Sequence, residues 1–128
     1  MRRRARLTIP VAALAAGSAL AAASALAAPA PPGRYDAELC VATRPGTPPT
    51  CGAADVEIRS GLLSVRISDI VYFLALRRDQ LDVVTMHGKM QIDEFSSPYE
   101  WEGTTLVFTD TDKDVRYEVR IAARKSTR

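Results

Sequence analysis

The sequence reads Val115-Arg116-Tyr117-Glu118-Val119-Arg120-Ile121 near its end, with apolar and charged residues in strict alternation. Successive side chains of a β-strand point to opposite faces of a sheet, so this pattern predicts a strand with one buried and one solvated face. The same period of two runs from Tyr35 to Val41 and places Cys40 on the polar face. Such two-faced strands are typical of antiparallel sheets.

Short alternating segments, separated by turns rich in Gly, Ser and Asp, fill the chain from residue 34 to residue 123. The pattern offers none of the helical crossovers that parallel strands require. We therefore expect an all-β domain, a small antiparallel meander of about seven or eight strands that closes into a barrel or a sandwich.

Two places disturb the alternation. Ile70 follows Ile67 by an odd step, which predicts a bulge or a corner at Ser68-Asp69. Every residue of the following run, 70–76, is apolar. This run predicts a buried central strand, or a strand whose outer face something else covers.

The segment around Gly88 is the second ambiguity. Val84, Met86, Met90 and Ile92 keep one phase across the glycine, which predicts one long strand with a close backbone approach at Gly88. A tight hairpin at residues 87–89 is the alternative.

Residues 1–27 have the pattern of a secretory signal peptide. Arg2, Arg3, Arg4 and Arg6 precede an apolar run, and Ala25-Leu26-Ala27 supplies the small-x-small cleavage pattern. A retained membrane anchor is the alternative, because the run approaches the roughly 20 residues that span a bilayer. With cleavage after Ala27, we expect a periplasmic or secreted protein with no membrane span.

The expected mature chain has three parts: a proline-rich lead-in at 28–33, a single β domain at 34–123 and a basic tail at 124–128. Without the leader it carries 13 basic and 15 acidic residues, a net charge of −2. This balance gives no electrostatic argument for binding nucleic acid.

Cys40 and Cys51 are the only cysteines, and they flank a proline-rich segment. In an oxidising compartment an isolated pair at this spacing predicts a disulfide. Closing a loop of this size stabilises a fold by about 3 kcal/mol on the chain-entropy model.

The candidate binding residues lie at Tyr99, Glu100, Trp101 and Glu102, where aromatic and acidic residues alternate. Aromatic residues beside charges are enriched at protein interfaces, so this strand predicts a recognition surface. Glu100 and Glu102 would also lie about 6–7 Å apart on one face, near the spacing of glycosidase carboxylates. His87, the only histidine, is a weaker candidate for binding or for a pH response.

The chain offers no supported catalytic or metal site. It contains no Gly-x-Ser-x-Gly elbow to accompany His87. Asp110, Asp112 and Asp114 match positions 1, 3 and 5 of a calcium loop, but Val115 and Ile121 occupy the positions that need glycine and glutamate. We therefore expect a polar turn there, with no catalytic residue, no metal and no cofactor.

Two resemblances bear on function. Gly33-x-Tyr35 ahead of a β-meander resembles the Gly-x-Trp opening of lipocalin-type barrels, which implies a carrier of a lipid or another small molecule. In size, export and disulfide the chain is similar to periplasmic lysozyme inhibitors. It has Ser64 where their Ser-Gly-x-x-Tyr pattern has tyrosine, and Glu102 where they have lysine before glycine, so no residue is carried over.

We expect a non-catalytic exported β domain that binds a protein partner in the cell envelope, with the inhibition of an enzyme as one form of such binding. Its contact regions are expected at the sheet edges and around Trp101. A lipid or small-molecule carrier is one alternative, and a hydrolase that uses Glu100 and Glu102 is another.

Overall fold

The structure, a computed structural model, describes residues 30–44 and 46–125. The expected signal peptide, the first two residues of the lead-in, Pro45 in the proline-rich loop and the last three residues of the basic tail lie outside the described residues. Within the described part, no helical segment has the length and hydropathy of a membrane span.

The described chain forms strands joined by turns, and every strand pairing is antiparallel. In chain order the strands are β1 (Gly33–Ala42), β2 (Thr50–Arg59), β3 (Leu62–Ile67), β4 (Ile70–Leu76), β5 (Leu81–His87), β6 (Met90–Ser97), β7 (Tyr99–Glu102), β8 (Thr105–Asp110) and β9 (Val115–Arg124). The predicted all-β antiparallel fold is confirmed, with nine strands in the described residues where about seven or eight were expected.

The strands lie in the order β6-β5-β4-β3-β2-β1-β9-β8-β7, so the first and last strands of the chain pair in the middle of the sheet. The sheet curls until its two edges, β6 and β7, approach each other. Pro98 alone separates these two strands, and proline has no N–H to continue a ladder. The result is a nearly closed barrel with a seam at Pro98.

Side chains close the seam where backbone pairing is interrupted. The Oγ of Ser97, on β6, accepts a hydrogen bond from the backbone N–H of Thr109 on β8 at 3.1 Å. The ring of Phe95 stacks on Tyr117, with ring centroids 5.9 Å apart. Lys113, in the turn after β8, bonds to Asp93 on β6 at 2.7 Å.

In β1 and β9 the core follows the alternation predicted from the sequence. On β1, Tyr35 and Leu39 are buried while Asp36 and Glu38 are exposed. On β9, Tyr117 is buried among the inward residues. The inward side chains fill the barrel, and the largest that are fully buried include Leu63, Leu74, Leu81, Leu106, Val56, Val65, Val83 and Val119.

The long strand predicted across Gly88 is wrong, and the alternative hairpin is confirmed. His87 pairs with Met90, and the chain reverses at Gly88, which has a φ of 62°. Glycine adopts this left-handed conformation without the penalty of a Cβ. Within β5, Leu81, Val83 and Thr85 point inward, while Val84 and Met86 face outward.

The bulge or corner expected at Ser68-Asp69 is a hairpin turn. Ile67 pairs directly with Ile70, and Ser68 adopts a φ of 56°. The odd step between the two isoleucines is thus the reversal between β3 and β4. Ser-Asp is not among the Asn-Gly and Asp-Gly pairs that signal such turns, which explains why the sequence did not indicate a hairpin.

The predicted disulfide is present. Cys40 on β1 and Cys51 on β2 are direct register partners and form a disulfide. Both cysteines lie on the outer face of the barrel, as the phase of β1 predicted. The bond closes the base of the proline-rich loop that connects the two strands.

Candidate functional site

The predicted recognition strand, β7, has its aromatic residues turned toward the barrel. Tyr99 and Trp101 are half-buried and pack against the core, while Glu100 and Glu102 are exposed. The Tyr99 hydroxyl donates a hydrogen bond to the carbonyl of Arg77 at 2.7 Å. The two aromatic residues therefore serve packing, and the exposed part of this strand is acidic.

Trp101 has one unusual feature. Its indole Nε1 is buried and has no hydrogen-bond partner within the described residues. Buried N–H groups normally find an acceptor. The indole faces the interior, so this donor is not directed toward a surface ligand.

His87 lies away from β7. It pairs with Ile70 and Met90 at one end of the β4–β5 hairpin, whereas Tyr99 contacts Arg77 at the opposite end. The exposed imidazole Nε2 lies 3.6 Å from a carboxylate oxygen of Asp69, which is also exposed. The structure thus brings Tyr99, Glu100, Trp101 and Glu102 together on one short strand and leaves His87 apart from them.

A groove lies instead on the outer face of β2, β3 and β4. We call this cavity of about 620 Å³ the outer groove. Its apolar lining includes Leu62, Val71 and Phe73, of which Leu62 is 51% exposed and Phe73 is 45% exposed. Leu62 pairs with Ala75, two residues from Phe73 on the same face of β4, so the two exposed side chains are diagonal neighbours.

The apolar surface continues beyond the outer groove. Phe73 pairs with Val84, and Val71 pairs with Met86, both on the outer face of β5. A second cavity of about 490 Å³ shares Arg66, Val71 and Phe73 with the outer groove and reaches Lys89. Three neighbouring strands therefore present apolar side chains outward.

The run of apolar residues at 70–76 was the sequence signal for this surface. The run is consistent with a strand whose outer face something else covers, and the described chain leaves Phe73 exposed. The groove itself was missed, because its walls come from β2 and from both ends of the domain. Only the register of the sheet shows which outward residues lie side by side.

The charged walls of the outer groove contain two ion pairs. Arg59 bonds to Glu57 at 3.0 Å, and Lys125 bonds to Asp55 at 2.9 Å. Hydrogen bonds that the Lys125 ammonium donates to the carboxylates of Asp36 and Asp55 raise the pKa of Lys125. Exposed ion pairs of this kind contribute little to stability. Their main effect is that both acidic residues of the groove already have a cationic partner.

The opposite side of the barrel has a different outer face. On β9, Arg116 and Arg120 both bond to Glu118, at 3.1 and 2.8 Å, and Arg120 also reaches Glu38 on β1 at 3.4 Å. The hydrogen bond from Arg120 is the main reason that the pKa of Glu118 is lowered. This face is polar and internally paired, as expected for a face in contact with water.

A polar cluster near the seam joins the barrel interior to the loop after β8. The Lys113 ammonium lies 2.7 Å from Asp93 and 3.9 Å from the buried Asp110. Its hydrogen bond lowers the pKa of Asp93. Burial, together with Tyr72, Asp110 and Asp93, raises the pKa of Tyr117 to about 12.

This shift predicts a loss of stability in alkali. A tyrosine whose folded pKa exceeds its ordinary value of 10.0 stabilises the fold below that pH, and the contribution is lost as the pH rises toward about 12. The full contribution is about 2–3 kcal/mol. Urea unfolding across this range measures it, with Tyr117→Phe as the control that keeps the ring and removes the titration. Parallel alkaline curves for the two proteins would contradict the prediction.

The aspartate-rich segment between β8 and β9 is a turn, as predicted. A carboxylate oxygen of Asp110 accepts a hydrogen bond from the backbone N–H of Asp112 at 3.1 Å. Elsewhere in the described chain, Glu38, Cys40 and Cys51 bring possible ligand atoms together. Both sulfurs of that group are consumed by the disulfide, so neither is a thiolate that a metal would bind.

No protein family, curated protein or solved structure that was compared with the chain is similar enough to count as a match. The most distinctive feature of the molecule is the outer groove, with exposed apolar side chains between charged walls.

Proposed function

We propose that this chain is a non-catalytic binding protein and that it contacts a protein partner through the outer groove. The observation that carries the proposal is the exposure of Leu62 and Phe73 side by side on an outer sheet face. Contiguous exposed apolar surface on a soluble domain marks interaction sites. A partner that covered these side chains would remove them from water, which is favourable.

The contrast between the two outer faces supports the proposal. Outward positions on β9 are occupied by Arg116, Glu118 and Arg120, which satisfy one another. The equivalent outward positions on β4 are Val71 and Phe73. A domain that needed only solubility would use charged residues on both faces.

The proposed setting is the cell envelope. The arginine-rich start and the small-x-small pattern of residues 1–27 favour export with cleavage of a signal peptide. The disulfide between Cys40 and Cys51 is of the kind that persists in oxidising compartments. The partner should therefore be sought among periplasmic or secreted proteins.

No observation favours the two alternative functions. The barrel interior of the described chain is filled by core side chains such as Leu74 and Val83, which leaves nothing to support a carrier. Glu100 and Glu102 lie on an exposed short strand, and His87 lies elsewhere. The structure therefore places no histidine beside the two glutamates to support the hydrolase hypothesis.

Two matched double variants test the proposal. Leu62→Ser with Phe73→Ser removes the apolar side chains of the outer groove. Met90→Ser with Ile92→Ser removes side chains of similar exposure, 59% and 48%, from β6 outside the groove. All proteins carry an affinity tag on a flexible spacer and are used to capture partners from an envelope extract, after thermal denaturation has shown that they fold.

We expect the native protein to capture a partner that the groove variant recovers at least tenfold less well, since two central apolar contacts each contribute roughly 1 kcal/mol or more. The β6 variant should recover it unchanged. Capture that survives in both variants, or is lost equally in both, would show that the groove is not the contact surface. The absence of any captured partner from the native protein would contradict the binding function itself.

A further inference from the structure

We infer that the partner presents an acidic, extended segment to the outer groove, with carboxylates on Arg66 and Arg34 and apolar side chains on Leu62 and Phe73. The inference rests on the proposed function, because it specifies the chemistry of the ligand for the same surface. The observation behind it is that the groove has more cationic than anionic side chains, and the fold does not pair all of the cations.

The groove is basic, whereas the chain without residues 1–27 is slightly acidic. Its charged lining consists of Arg34, Arg59, Arg66 and Lys125 against Asp55 and Glu57, a net charge of +2. The chain without its first 27 residues has a net charge of −2. The sign of the groove is therefore opposite to that of the domain as a whole, which favours an anionic ligand there.

Two arginines of the groove lie opposite acidic residues that already bond to another cation. Arg34 is the register partner of Glu57, but the Glu57 carboxylate bonds to Arg59 at 3.0 Å. Arg66 is the register partner of Asp55, but Asp55 bonds to Lys125 at 2.9 Å.

Within residues 30–44 and 46–125, Arg34 and Arg66 make no ion pair of their own. They are cations available to a ligand, and they flank the apolar part of the groove. Arg66 also lines the adjoining cavity and is the register partner of Val71, so a carboxylate there would lie beside the outward apolar side chains of β4.

A guanidinium favours carboxylates, because its planar fork donates two parallel hydrogen bonds to the two oxygens. Apolar side chains beside the carboxylates would cover Leu62 and Phe73 at the same time. A ligand that alternates acidic and apolar groups matches this arrangement, whereas a simple anion would leave the apolar surface exposed.

The sheet topology determines how such a ligand binds. β2, β3 and β4 are inner strands, and each is paired on both sides. No free backbone edge is available for strand addition within the groove. Recognition must come from side chains that stand on the sheet, and an extended segment lying across the strands reaches both Arg34 and Arg66.

Defined peptides test the inference. A short peptide that alternates glutamate with phenylalanine is labelled and titrated with the domain by fluorescence anisotropy. A second peptide replaces each glutamate with lysine, and a third keeps the glutamates and replaces each phenylalanine with serine. Arg66→Gln removes the central cation, and Arg78→Gln is its control, because Arg78 is exposed and lies outside both cavities.

We expect the glutamate–phenylalanine peptide to bind, and the other two peptides to bind at least tenfold more weakly. Arg66→Gln should weaken binding about tenfold, the effect of losing one charge-assisted hydrogen bond, while Arg78→Gln leaves it unchanged. Added salt should also weaken the binding. The absence of binding by the first peptide, or equal binding to the Arg66→Gln and native proteins, would overturn the inference.

The outcomes separate this inference from the proposed function. If the lysine peptide binds as well as the glutamate peptide, and the Leu62→Ser/Phe73→Ser variant binds neither, the groove is a contact surface but does not select acids. If that double variant binds every peptide like the native protein and also retains its captured partner, the proposed function itself fails.

Discussion

Replacing Leu74 with alanine is expected to lower the free energy of unfolding by about 3 kcal/mol, whereas Phe73→Ala should lower it by about 1 kcal/mol or less. The two residues are adjacent on β4 and differ in the face that they occupy. Leu74 is 0% exposed, but Phe73 is 45% exposed on the outer face. Truncating Leu74 leaves a cavity in a packed interior. Truncating Phe73 removes a side chain that is partly in water and leaves no cavity.

Urea unfolding of the native protein and the two variants measures this difference directly. A midpoint that falls with an unchanged slope reports a change in stability and not in the compactness of the unfolded state. Equal losses, or a larger loss for Phe73→Ala, would show that β4 is turned the other way. In that case the outer groove would not exist as described, and both proposals would lose their basis.

Loss of the Cys40–Cys51 disulfide is expected to lower the free energy of unfolding by about 3 kcal/mol. The cysteines are separated by 11 positions in the sequence, and the bond limits the conformations that this loop explores in the unfolded chain. Beyond the disulfide, the ladder between β1 and β2 continues only to the pair Val41 and Thr50. The measurement compares urea unfolding of the oxidised protein with that of the protein in reductant.

A Cys40→Ala/Cys51→Ala variant is the control for this comparison. It should unfold at the same urea concentration with and without reductant, and close to the reduced native protein. If the oxidised and reduced native proteins unfold together, the disulfide does not stabilise the fold. Free-thiol titration of the native protein gives an independent test that the sulfurs are bonded.

The sequence was sufficient to predict the fold class, the antiparallel pairing and the disulfide, because each depends on local patterns. Alternation in β1 and β9 correctly identified inward residues such as Leu39 and Val119. The pattern failed around Gly88, because Val84, Met86, Met90 and Ile92 keep an even spacing that imitates a continuous strand, whereas the two-residue turn pairs His87 with Met90 and Met86 with Gln91. The buried Thr85 added to this error, because a polar residue was assigned to the solvated face.

The candidate site was less predictable than the fold. The sequence predicts a role for Trp101 from its residue type, yet its position on β7 directs it toward the core. The outer groove depends on the register between β2, β3 and β4, which joins residues that are far apart in the sequence. The apolar run of β4 indicated that its outer face is apolar, but it did not indicate which residues of the neighbouring strands lie beside Phe73.

The pairing of β1 with β9 has a practical consequence for handling the protein. The backbone N–H of Lys125 donates to the carbonyl of Arg34 at 2.8 Å, and both residues also belong to the wall of the outer groove. A protein fused ahead of β1 or behind β9 would therefore lie close to the outer groove, the proposed contact surface. A bulky fusion partner placed there without a long spacer would block access to the outer groove. In a binding assay the fusion protein would then give the same result as a protein that binds no partner.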